Sequence, residues 1–304
     1  MAQPRQIIIE DLPYEERLKY LKNREEQYKK LKSIRQYTEG EKFNYKLTVE
    51  GDSHVQTVKS TFQIVSNHEL IYLGYDEMFA LDCFSLTELS YKLEKYEDPI
   101  VAQIVEMSNE ISSVYQHLEF GVDKFGHIRK IYNRAEIKQK WEKTKEYLTY
   151  KHPLSSYEII RVKEKELANP KMEMDNISYM HFLQVYFKQY GRFMDHQEFS
   201  TTHMDQFGSG IPFELKLKID TLPPTKEGQI HRRMEGGMLY NSSVEANLRK
   251  AVKDDSAKVD YTTKADYYSD GVVLEEVNFN YSEKIGEGYN MYSHLHLELL
   301  KDGE

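Results

Sequence analysis

Apolar and polar positions along the chain change period several times, and those changes divide it. Residues 14–37 carry Tyr14, Leu18, Leu21, Tyr28, Leu31 and Ile34 on one stripe, with Lys, Arg and Glu opposite. That spacing predicts a long amphipathic helix. Asp11 is placed to cap it, and Pro13 is tolerated in a first turn. From Phe43 the period falls to two: Phe43, Tyr45, Leu47 and Val49 alternate with polar residues. "EGDSH" at 50–54 then predicts a turn, Val58, Phe62 and Ile64 a return strand, and "ELIYLGYD" at 69–76 a third strand of an antiparallel meander. Residues 77–96 read equally as strand or helix. Asp98-Pro99 opens a predicted helix through Ile100, Ile104, Met107 and Ile111.

The stretch 118–143 is the best-formed local unit. Leu118, Phe120 and Val122 predict a strand, "DKFG" a tight turn using Gly126, and Ile128 and Ile131 the return strand. Asn133 with Glu136 three residues on reads as a capping box. The helix that follows carries Ile137, Trp141, Thr144 and Leu148 on one stripe, which makes the single tryptophan a core anchor.

Residues 152–168 predict a helix ending before Asn169-Pro170, and 175–191 a second one starting at Asp175. The second is apolar almost all round, through Ile177, Phe182, Leu183, Val185, Tyr186 and Phe187. A helix of that kind is buried on several sides, as a central element between two sheets or as a subunit contact. Alternation returns at Phe213, Leu215, Leu217 and Ile219. "QIHRRM" follows as a strand, and Ser242-x-x-Glu245 caps a short helix. Three strands close the chain, in "KVDYTTKADYY", "VVLEEVNFNYS" and "GYNMYSHLHLELL".

The pattern predicts an α+β fold with two antiparallel β-sheet units, helices packed on them and a helical middle joining them. Its expected parts are an N-terminal amphipathic arm (1–40), a first sheet with helices (41–150), a helical connector (151–207) and a second sheet with one short helix (208–304).

Composition narrows the classes. Among 304 residues, 39% hydrophobic and 30% charged, apolar periodicity is continuous enough for a packed core. The net charge of −9 argues against a phosphate-backbone binder, so no nucleic-acid partner is expected. The one cysteine, Cys83, cannot form an intramolecular disulfide or build a cysteine zinc site. No apolar run approaches a membrane span, so no membrane insertion and a cytoplasmic setting are expected. The 24 tyrosines suit half-buried sheet faces, and a contact surface is the sharper reading.

Candidate chemistry is sparse. His294, His296 and Glu298 fall on one face of a strand, a spacing that two imidazoles and a carboxylate can use to hold a divalent metal. The other face carries Leu295, Leu297 and Leu299, so the three are what the solvent-facing side of a terminal strand carries anyway, and that reading is preferred. Asp195, His196, His203 and Asp205 cluster in a loop-like stretch able to supply a general base or metal ligand, against a plain polar linker. His231-Arg232-Arg233 before Gly236-Gly237 suits an anion as well as an exposed strand. There is no Walker loop, dinucleotide fingerprint, nucleophile elbow or H-E-x-x-H. No cofactor and no catalytic residue are assigned.

The leading expectation is a non-enzymatic interaction protein: an adaptor, chaperone, immunity protein or subunit of a larger assembly. Its protein partner, or a second copy of itself, would bind through the N-terminal helix or tyrosine-rich sheet faces. One alternative is a binder of a hydrophobic small molecule in a cavity between sheet and helix. Another is a metal-dependent hydrolase.

Overall fold

The alternating segments build strands, and all of them join. The computed structural model of the chain describes residues 37–96, 107–153, 156–188, 197–204, 212–270 and 273–301. Its strands are β1 (Lys42–Val55), β2 (Val58–Asp76), β3 (Leu81–Tyr96), β4 (His117–Val122), β5 (Ile128–Ile131), β6 (Gln197–Met204), β7 (Pro212–Leu222), β8 (Ile230–Met238), β9 (Val259–Ser269), β10 (Leu274–Ile285) and β11 (Tyr289–Leu299). They form one antiparallel sheet of eleven strands in the order β5-β4-β3-β2-β1-β11-β10-β9-β8-β7-β6.

This overturns the expected pair of sheet units. The first strand pairs with the last, Leu47 opposite Leu297 and Val49 opposite Leu295. That single pairing zips the two runs of strands into one sheet. Alternation marks which side of a strand is buried but not which strand lies beside it, so two runs separated by helices read as two sheets. From Thr38 onward the chain forms one compact unit.

The helices are α1 (Arg134–Lys151), α2 (Ser156–Ala168), α3 (Pro170–Ile177), α4 (His181–Phe187) and α5 (Ser242–Val252). Residues 107–112 are also helical and continue into a short 3-10 turn at Ser113–Tyr115. The expected helix at 14–37 lies outside the described residues save for Tyr37, as does the start of the one at Asp98-Pro99. No helix among the described residues is long and apolar enough to cross a membrane.

Local chemistry moves several boundaries. "EGDSH" does not turn: β1 runs through it to Val55, and the reversal falls at Gln56, whose φ is +57°. The two strands expected over 58–76 are one strand of 19 residues. Residues 77–96, ambiguous by pattern, supply the β2–β3 turn and β3. The helix expected from Asp175 is two helices. Asn169 caps α3 by accepting from the Lys171 and Met172 amides, with Pro170 in the first turn, and α3 ends at Ile177 before α4 begins. Asn133 does not cap α1; its Oδ1 accepts from the Glu119 amide, 3.0 Å, and its Nδ2 donates to the His117 carbonyl, 3.0 Å, tying the helix start to β4. Asn241, not Ser242, caps α5.

The core lies on one face of the sheet. Tyr45, Leu47, Val49, Leu70, Phe84, Leu118, Phe120, Leu297, Val277 and Ile219 are all buried there. α4 lies against it. Phe182 and Tyr186 meet the Tyr45 ring at 5.8 and 5.5 Å between centroids, and Phe187 meets Phe84 and Phe120 at 5.2 and 5.6 Å. Each such ring contributes roughly 1.5–3 kcal/mol by burial, which holds a helix of seven residues that could not stand alone. The expectation of a helix buried on several sides therefore holds, against one sheet rather than between two.

The sheet is strongly curved. β6 lies four strands from β10, about 19 Å away in a flat sheet. Yet the His203 and Tyr281 rings are 4.5 Å apart, and Phe213 of β7 meets Tyr261 of β9 at 4.2 Å between centroids. The register row Tyr281–Thr263–Gly236–Leu217–Phe199 shows how. Small residues in its middle leave room for the strands to fold over. A Cβ on Gly236 would lie 2.0 Å from the Lys216 carbonyl oxygen.

Candidate functional site

Two clefts flank the α3–α4 segment, and Tyr179 borders both. The first, about 480 Å³, lies between the inner faces of β1–β3 and the N-terminus of α4. Its apolar lining comes from Leu47, Val49, Phe62 and Ile64 on the sheet and Met180 and Phe182 on the helix. Strand alternation puts Ser66 and His68 in the same inner row, opposite Leu47 and Tyr45.

His68 is buried and hydrogen-bonded to Ser66, Nε2 to Oγ 2.8 Å. Its ring lies 4.8 Å from that of Phe182. Nδ1 has no hydrogen-bond partner among the described residues. Burial lowers the imidazole to about 4, so it is neutral at pH 7 and carries one N–H. Glu88 pairs across from His68 and lines the cleft, and burial raises its carboxyl.

The second cleft, about 390 Å³, lies at a seam. Phe125–Arg129, from the β4–β5 hairpin, and Phe199–His203 of β6 line it together with Leu183, Phe187 and Lys188. β5 and β6 are the two edges of the sheet. The curvature therefore brings both edges to one cleft. The hairpin there is held by Asp123, which accepts from the Phe125 and His127 amides and from Arg129 Nε at 2.8–3.0 Å. These bonds hold its carboxyl well below the usual range despite the cost of burial.

Of the predicted cluster Asp195, His196, His203 and Asp205, only His203 lies among the described residues. It is buried, against Tyr281, whose hydroxyl bonds both His203 Nε2 and Glu283 Oε1. Glu283 stands 3.4 Å from His203 Nε2. Burial, and then the Lys188 ammonium, lower His203 to about 3.

His294, His296 and Glu298 lie on the outer face of β11, near the middle of the sheet. His294 Nδ1 bonds Asn280 Oδ1 at 3.0 Å, and His296 Nδ1 bonds Asn278 Oδ1 at 2.9 Å. Glu298 accepts from Lys46 at 3.0 Å and stands 3.8 Å from His296 Nε2. Among the described residues no group of three His, Cys, Asp or Glu side chains is arranged to hold a metal ion. His231 and Arg233 share Asp266, at 2.8 and 2.9 Å, so the suggested anion cradle already holds a carboxylate.

Pattern reading missed Ser66 and His68. The signal was present: two polar residues at the inward positions of a strand whose neighbours at those positions are apolar.

No protein family profile matches the chain, and no curated protein matches it. A solved structure showing lipid–protein interactions in lipovitellin aligns with 88% of this chain and 26% of its own, at 7% identity and a TM-score of 0.48. The chain thus spans about a quarter of that structure's chain, and at this distance the likeness carries neither fold nor function.

Proposed function

We propose that the protein binds an apolar small molecule in the cleft between β1–β3 and α4. The observation that carries this reading is an open cleft of about 480 Å³ with a mostly apolar surface, in whose lining His68 Nδ1 is the one buried side-chain polar atom without a hydrogen-bond partner among the described residues. Ligand sites are typically recesses of roughly 300–1,000 Å³, apolar with a few polar groups that fix orientation. The interaction reading drew on the 14–37 helix and on tyrosines. That helix lies outside the described residues; Tyr45, Tyr115, Tyr186, Tyr261 and Tyr267 are buried, while Tyr75, Tyr147, Tyr150, Tyr157, Tyr240 and Tyr292 are exposed.

Titration of the full chain with Nile red, a neutral solvatochromic dye, tests the reading. Saturable binding with a blue-shifted emission is expected, weakened at least tenfold by Ile64→Trp, which fills the cleft from its half-buried wall. Absence of saturable binding, or binding that Ile64→Trp leaves unchanged in a folded protein, overturns it.

A further inference from the structure

A recess that binds an apolar body still discriminates by what it offers the polar end. The lining of the sheet–helix cleft includes no lysine or arginine among the described residues. Among the described residues its one carboxylate is Glu88. Around the apolar floor stands a rim of uncharged hydrogen-bonding side chains, among them Ser108, Asn109, Ser112, Gln116 and Asn176. Inside, the Ser66–His68 pair interrupts an apolar row, and His68 Nδ1 is left desolvated without a partner among the described residues, which is unfavourable. A group that fills that bond recovers the cost, and natural interiors rarely leave such atoms alone.

We infer that the ligand is an uncharged amphiphile, an apolar body with a hydroxyl or carbonyl head, and that the head pairs with His68 beside Ser66. This rests on the proposed binding site. An anionic head would meet Glu88 and, among the described lining residues, no lysine or arginine, while desolvation disfavours the charged form of His181. A cationic head would have to bury its charge with Glu88 as its only counter-ion in a recess that already disfavours the ionised carboxylate. A neutral donor or acceptor pays neither penalty, and His68 can serve as either, because the Ser66 hydroxyl accommodates both tautomers. The seam cleft differs: Arg129, His127 and Lys188 line it.

Head-group charge can be varied with the chain held constant. Dodecan-1-ol, dodecanoate and dodecylammonium compete against Nile red on the full-length protein at pH 7.4. The alcohol is expected to displace the dye at a concentration at least tenfold below that of either ion. His68→Leu, similar in volume, should lose most of the alcohol's advantage over the two ions, each displacement being measured against that variant's own Nile red affinity. Dodecanoate equal to or better than the alcohol overturns the inference, and so does a preference for dodecylammonium, which would assign the head to Glu88. An advantage unchanged in His68→Leu overturns the role of His68. Each of these outcomes is a ratio between competitors on protein that binds the dye, whereas failure of the binding site itself shows as no saturable dye binding to the parent protein.

Discussion

The two flanks of the sheet solve one problem differently. Both must cover an apolar inner face. On the β6–β10 flank the strands cover it themselves: Gly236 and Thr263 let the sheet fold over, and Phe213, Tyr261, Tyr281 and His203 fill the space from strands two and four apart. On the β1–β3 flank the inner row is built of larger residues, and a separate helix does the covering. Self-covering strands leave a buried histidine with partners. A helix laid across a sheet leaves a recess and a buried histidine with one nitrogen unpaired. Clefts arise where two elements meet imperfectly, and the proposed site is the one under the N-terminus of α4.

The largest expected effect comes from closing the gap that permits the fold-over. Gly236→Val would press its side chain into the Lys216 carbonyl and Leu217 Cα, backbone atoms that cannot swing aside. Loss of soluble folded protein is expected, or destabilisation beyond about 4 kcal/mol, at the upper end for point mutants. A variant with unchanged denaturant midpoint would show that the curvature does not depend on that position. Next is Trp141→Ala, beside the helix-covered flank. Trp141 is 2% exposed on α1, which packs against the turn at Ser113–Tyr115. A loss of about 3–5 kcal/mol in urea unfolding is expected.

The two histidines give a sharper test. Each is neutral in the folded protein and titrates near 6.5 when unfolded. Between pH 6.5 and about 4 the unfolded chain therefore binds more protons at His68 than the folded one does. Stability is full above that window and falls as pH falls through it, by on the order of 3 kcal/mol for His68 alone. His68→Leu should flatten that part of the stability-against-pH curve by this amount and change stability at pH 7.4 by no more than about 1 kcal/mol, since removing the unpaired Nδ1 offsets the hydrogen bond that Ser66 loses. His203→Leu should flatten the curve too, but cost about 2 kcal/mol at pH 7.4, because it strips a partner from the buried Tyr281 and Glu283. Equal costs at pH 7.4 would erase the difference between the flanks.

That difference was only partly legible in the sequence. Tyr45, Leu47, Val49, Leu215, Leu217 and Ile219 announce inward faces by alternation, and Trp141 and the apolar 177–187 segment announce burial. The closing pair β1–β11 cannot be read, because register between strands almost 250 residues apart is fixed by mutual packing and leaves no local mark. The same limit hid the curvature. His231-Arg232-Arg233 before Gly236-Gly237 suits an anion as well as an exposed strand, and nothing in the sequence sets Gly236 between Leu217 and Thr263, where the sheet bends. His68 was readable as an inward polar residue, but only the helix opposite turns it into a site.

The smallest effect should come from the outer face, which both flanks share. His296 hydrogen-bonds Asn278 where solvent reaches both, so water can replace the ring when it is removed. His296→Ala should change unfolding free energy by less than about 0.5 kcal/mol, the range for surface positions without special geometry. Zinc gives the experiment its second arm. If His294, His296 and Glu298 serve as ligands, zinc must raise the melting temperature of the parent protein and not of His296→Ala, because an ion bound only to the folded state stabilises it by mass action. Hydrogen bonds to Asn278 and Asn280 predict identical curves with and without the ion. A zinc-dependent gap between the two proteins would move the functional centre from the helix-covered recess to the open outer face.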